Sequence, residues 1–137
     1  MNLDPSAFVA DPELIQALEK CSTVISCGGD RVLFRQGDNP EGIYILEQGE
    51  TTLTMTSPGG VQLMSIEAHP GSLLGLPGLI GDEPYTLTAI AHEGARLNFV
   101  SRDEFTSLMQ TQPLLSLKIL DVLAAEVSSA RRALSHR

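Results

Sequence analysis

The chain has 137 residues, 42% of them hydrophobic, enough for one domain with its own core and no disulfide or metal staple. Seventeen Asp and Glu against nine Lys and Arg leave a net charge of −8, which argues against nucleic acid or an anionic membrane as a direct partner. No run of about 18 apolar residues occurs and no signal-peptide pattern follows Met1, so no membrane span is expected and the expected address is the cytoplasm.

Asp4-Pro5 and Asp11-Pro12 each pair an N-cap residue with a proline at the first helical position. The second opens a helix over 12–20, in which Leu14, Ile15 and Leu18 recur at helical spacing. Cys21 and Cys27 read as free thiols of a reducing compartment. They supply too few ligands for zinc and lack the spacing of a redox C-x-x-C pair. Gly28-Gly29-Asp30 marks a turn, so residues 1–30 read as a helical lead.

From 31 to 100 the texture changes to short strands and turns. Strands are expected over 31–36, 43–47, 51–56, 61–66, 85–91 and 95–100. In 51–56, Thr alternates outward against inward Leu53 and Met55, and Ser57-Pro58-Gly59-Gly60 supplies a hairpin turn. This spacing reads as an all-β barrel or sandwich.

Residues 101–137 read as helical. Ser101 and Glu104 form a capping box that opens a short helix ending near Met109. Pro113 then starts a long helix over 113–135. Leu120, Leu123, Val127, Ala130 and Leu134 step along it at heptad spacing, a candidate seam for a homodimer. Leu115, Ile119 and Val122 mark a second face that packs on the barrel. A single wide stripe buried on its own domain is the alternative.

The segment 71–89 carries four glycines and two prolines among leucines. It starts as a strand, breaks at Gly75, allows one helical turn after Pro77 and resumes as a strand at Tyr85. A glycine-rich break that opens a short helix can aim backbone N–H groups at an anion. The same glycines also suit a tight chain crossing with no ligand.

Phe34-x-x-Gly37-Asp38, then Ile43-Tyr44-Ile45-Leu46-x-x-Gly49, then Gly71-x-x-x-Gly75 and Pro84-x-Thr86 together resemble the cyclic-nucleotide-binding domain. The likeness is strongest to the sensor half of regulators of the catabolite-activator and fumarate-nitrate-regulator type, over about residues 8–135. It implies an eight-stranded jelly-roll barrel at 31–100 with flanking helices, mainly β overall. It also implies a phosphate-binding cassette at 71–89 and a long terminal helix, 113–135, that forms a dimer interface. Its implied role is a regulatory sensor, not an enzyme. In the family a helix-turn-helix DNA reader follows this helix; the sequence stops at Arg137, so no DNA-binding domain is expected within it.

In cyclic-nucleotide binders the cassette resembles Gly-Glu-aliphatic-Ala-Leu followed by Pro-Arg-Thr/Ser-Ala, with Glu on the ribose hydroxyl and Arg on the phosphate. Here Leu76 stands for that Glu and Tyr85 for that Arg. Gly75 and Pro84 keep the backbone frame, Thr86 stands at the place of the phosphate-binding hydroxyl, and Pro77 and Gly78 complete the candidate cassette. No Lys or Arg occurs between Arg35 and Arg96, while Asp38, Glu41, Glu47, Glu50, Glu67, Asp82, Glu83 and Glu93 do. A buried anion without a charge partner costs several kcal/mol, roughly, more than the ~0.3–2 kcal/mol of a helix terminus. The expectation is therefore a degenerate cassette that does not hold cyclic AMP or cyclic GMP in the usual way, with no cofactor. Three alternatives follow. One is a collapsed, self-filled core in a ligand-free dimerisation or protein-interaction module, the reading that Leu73, Leu74, Leu76, Leu79, Ile80 and Leu87 favour. Another is a pocket for an apolar or neutral effector, including haem, for which His69 or His92 would be the axial ligand. A cyclic-nucleotide sensor of the ordinary kind is the third.

Overall fold

Period-two alternation sends neighbouring residues of each strand to opposite faces, and this chain makes both faces apolar where helices cover the outside. In the computed structural model, which describes residues 5–135 with side-chain surroundings through residue 129, eight strands form two antiparallel four-stranded sheets. The strands are β1 (Thr23–Ser26), β2 (Arg31–Phe34), β3 (Gly42–Gln48), β4 (Thr51–Thr56), β5 (Gln62–Ala68), β6 (Leu73–Leu74), β7 (Thr88–Ala91) and β8 (Arg96–Ser101). One sheet has the order β1-β8-β3-β6, the other β2-β7-β4-β5. Consecutive strands therefore alternate between sheets in part, as in a jelly roll.

A 3-10 turn, Pro5–Phe8, precedes α1 (Pro12–Glu19), and α2 (Leu76–Gly81) sits inside the cassette. α3 (Arg102–Thr111) and α4 (Pro113–Ser135) close the chain. Asp11 caps α1 through its carboxylate, which accepts from the Glu13 N–H at 2.8 Å. Ser101 caps α3 as expected: the Glu104 N–H donates to the Ser101 hydroxyl at 3.2 Å, and the Glu104 carboxylate turns back to accept from that hydroxyl at 3.0 Å rather than from the Ser101 N–H.

β3 divides the interior. Ile43 and Ile45 face the helices and join Leu14, Leu18, Leu76 and Phe105 in one cluster, which Leu115, Ile119 and Val122 of α4 complete. Leu46, with Tyr44 packed beside it, faces the barrel and joins Phe34, Leu53, Leu97 and Tyr85 in the other. Two polar clamps hold the helices in place. Lys118 of α4 lies 3.3 Å from Asp11 and 3.6 Å from Glu13 of α1. Arg102 of α3 pairs with Asp82 at 3.0 Å and donates to the Pro40 carbonyl at 2.7 Å.

The structure corrects the expected boundaries in three places. The barrel begins earlier than residue 31: β1 lies within the stretch read as a helical lead and pairs Thr23 to Ser26 along β8. Residues 85–87 are not strand, and β7 starts at Thr88. Thr51 points inward and is fully buried, because parity puts it on the face of Leu53. The cap expected at Asp4 lies outside the described residues. So do the side chains of Ala130 and Leu134.

Candidate functional site

The cassette bends where its glycines permit. Gly75, at φ +90°, ends β6 and precedes α2, and a Cβ there would stand 2.8 Å from the Tyr85 ring. Both the backbone angle and the close approach therefore require glycine. Asp82 closes the six-residue α2 in the left-handed region, φ 51°.

Tyr85 enters the barrel and is held at four points. Its N–H donates to the Asp38 carbonyl and its carbonyl accepts from the Gly37 N–H, at 2.9 and 2.8 Å. Its hydroxyl donates to the Gly42 carbonyl at 2.7 Å. Its ring stacks on Phe34 with centroids 4.0 Å apart, and Phe34, Tyr44 and Phe99 continue the aromatic row. Burial pushes the Tyr85 phenol above its ordinary pKa, so the group is a neutral donor. Loop 37–42 and the cassette are thus tied together by one residue, through its backbone and its side chain.

Behind Tyr85 the barrel is not filled. A cavity of about 180 Å³ lies between the cassette, the inner faces of β4 and β5, and α4. Its wall includes Phe8, Phe34, Leu53, Met55 and Met64, with Leu74, Gly75, Pro77, Gly78, Tyr85, Thr86 and Leu87 from the cassette. Glu126 and Val127 of α4 border it, and it stays partly open to solvent past Thr86 and Val127. Among the described residues, no Lys, Arg or His lines it. The collapsed, self-filled core favoured from sequence is therefore not what forms here, because the leucines divide between two interiors: Leu73, Leu76 and Leu79 pack under the helices, and Leu74 faces the barrel.

Of the expected cassette residues, Gly75, Pro77, Gly78, Tyr85 and Thr86 come together on the cavity wall. Leu76 does not: it is fully buried on the helix side. Pro84 is exposed at the surface and does not line the cavity. His69 and His92 lie away from it as well. His92 contacts the Thr52 hydroxyl at 2.5 Å and sits 3.5 Å from Asp30 and 3.8 Å from Glu67, at the barrel's outer edge.

Glu126 is the site residue that the sequence reading missed. It is 8% exposed, and neither carboxyl oxygen has a hydrogen-bond partner. Loss of water raises its pKa from 4.5 to about 8. A signal for it exists: Leu115, Ile119 and Val122 step by four and three along the inward face, and the next step is residue 126.

The outward face of α4 differs from the inward one. Leu114, Leu117, Leu120 and Val127 are 78%, 61%, 56% and 51% exposed. Leu123 is half-buried. Of the expected seam, Leu120 and Val127 are therefore open, and Val127 also forms the cavity rim.

Residues 24–112 match the family of the cyclic nucleotide-binding domain. The chain is 26% identical over 98 residues to a cyclic AMP receptor protein of Thermus thermophilus, covering 72% of this chain and 45% of that protein. The crystal structure of the Thermus thermophilus catabolite activator protein superposes with a TM-score of 0.79 at 22% identity, over 96% of this chain and 62% of that one. The sensor domain of the transcriptional regulator DNR from Pseudomonas aeruginosa superposes with a TM-score of 0.66 at 23% identity, over 83% and 77%. The chain thus spans less than half the length of the receptor it matches. No described helix is long and apolar enough to cross a membrane.

Proposed function

This chain belongs to the cyclic nucleotide-binding domain family, and on that premise we propose that it is a regulatory sensor domain whose cassette has exchanged its anion-binding chemistry for an apolar, effector-sized cavity. The observation that carries this reading is Tyr85. It stands after Pro84, where the family likeness calls for the phosphate-pairing Arg, and it is locked by its stack on Phe34 and its bond to Gly42. With no basic side chain among the described residues of the wall, the cavity offers a cyclic phosphate no charge partner.

The output runs through α4. Its inward face borders the cavity, and its outward face carries exposed leucines that suit a second copy of the same helix. An effector that favours one packing of α4 shifts the population of that packing. The role is regulatory rather than catalytic, and the assembly is a homodimer through α4. The exposed stripe also favours a second reading, a dimerisation module without an effector.

Calorimetric titration with cyclic AMP and cyclic GMP tests the first reading. No saturable heat is expected. Micromolar binding of either nucleotide overturns it.

A further inference from the structure

The cavity wall is chemically one-sided. Its rings are Phe8, Phe34 and Tyr85, its thioethers are Met55 and Met64, and the Tyr85 hydroxyl is already committed to Gly42. Among the described residues of the wall, the one titratable carboxyl is Glu126, buried and without a hydrogen-bond partner. Burying a carboxyl without partners is costly, and the inward stripe of α4 offers no packing reason for it: Leu115, Ile119 and Val122 fill the preceding positions. An apolar residue at 126 would fill space without that cost. A group held unpaired against a cavity is a recognition group for whatever donates to it.

Size and charge narrow the ligand. A cavity of about 180 Å³ compares with roughly 150 Å³ for an engineered apolar cavity that takes benzene, and falls below the roughly 300–1,000 Å³ of pockets for drug-sized molecules. Aromatic faces and sulfur atoms attract a cation, and a carboxylate completes it with a charge-assisted hydrogen bond. An anion finds no cationic partner among the described residues of the wall.

Resting on the sensor reading above, we propose that the cavity binds a small organic amine with an apolar body of about one ring, its ammonium paired with Glu126 and its body against Phe8, Phe34, Met55 and Met64. Because Glu126 belongs to α4 and the rings belong to the barrel, the amine bridges the two and holds α4 closed. The ligand's charge also offsets the desolvation that keeps this carboxyl protonated when it is alone.

The test is calorimetric titration of the full chain with three probes of one shape: benzylamine, benzyl alcohol and benzoate. Benzylamine is expected to saturate one site and to bind about tenfold or more tightly than benzyl alcohol, and benzoate not at all. Glu126→Gln keeps the shape and is expected to lose about tenfold or more for benzylamine while leaving benzyl alcohol unchanged. Circular dichroism checks its fold, and the wild-type contrast of benzylamine with benzoate needs no variant. Equal binding of the three probes, no saturation by benzylamine, or unchanged benzylamine affinity in Glu126→Gln overturns the proposal. The sensor reading fails separately: benzylamine that binds through Glu126 yet leaves amide-exchange protection along α4 unchanged contradicts the helix coupling and leaves the site standing.

Discussion

The two interiors on either side of β3 are built from similar residues and end differently. On the helix side Ile43, Ile45, Leu73 and Leu76 are fully buried and meet Leu14, Leu18 and Leu115 in an apolar cluster. On the barrel side Leu46, Leu53 and Leu74 are as deeply buried, yet the barrel keeps a cavity and a carboxyl group. Close packing is the rule for protein interiors, and an unfilled space lined with an unpaired polar group runs against it. The difference separates the part of the domain that stabilises α1, α3 and α4 from the part that is available for recognition. One helix shows both: Val122 belongs to the filled side and Glu126, one turn on, to the open one.

The largest effect is expected on the filled side. Leu76→Ala removes a fully buried side chain and should cost about 2–5 kcal/mol in denaturant unfolding. Met64→Ala, on the half-open side, should cost clearly less, because its lining already borders empty space. Equal losses would erase the contrast between the two interiors.

The open side should respond to removal of its charge in the opposite direction. Glu126→Leu is expected to raise stability near pH 8 by about 1–3 kcal/mol, since it removes an unsatisfied buried group and fills space. A loss of stability would mean that Glu126 has a structural partner.

The same group sets a pH dependence with a definite sign. Its pKa is about 8 in the folded protein against an ordinary 4.5, so across that window the folded state holds a proton that the unfolded state has released. The contribution is fully present below pH 4.5 and is lost as pH rises towards 8, at about 1.4 kcal/mol per pH unit, for this group taken alone. Urea midpoints should therefore fall over this range in the wild type and fall less in Glu126→Gln.

Tyr85→Phe sharpens the comparison at the cassette. Loss of the bond to Gly42 should cost about 1 kcal/mol, with the stack on Phe34 retained. Least of all should change with Leu120→Glu, which lies on the exposed stripe of α4: folding stability within about 0.5 kcal/mol of wild type, with sedimentation shifting the proposed homodimer towards monomer.

Much of this was legible from the sequence. The Gly75 break, the Ser101 cap of α3 and the inward face of α4 at Leu115, Ile119 and Val122 follow from local chemistry, and each takes the expected form, whereas Leu123, expected on the seam, packs on the inward cluster. What the sequence hid was set by tertiary contacts. β1 is a strand because β8 offers it an edge, not because Thr23 to Ser26 announces one. Tyr85 looks like the start of a strand, but its ring and hydroxyl are claimed by Phe34 and Gly42. Leu76 occupies a position that suggests a ligand contact, yet it faces the helix-side core. Glu126 was overlooked because a carboxylate on a helix ordinarily faces water. Only the continued step from Leu115 through Val122 marks it as inward.

One carboxyl group, Glu126, is held by α4 against the apolar cavity, buried and without a hydrogen-bond partner. Carbon-13 NMR of the Glu126 side chain through a pH titration measures that directly. A midpoint near 8 is predicted; a midpoint near the ordinary 4.5 would place the group in water and contradict its burial at the cavity wall, on which the sensor reading depends.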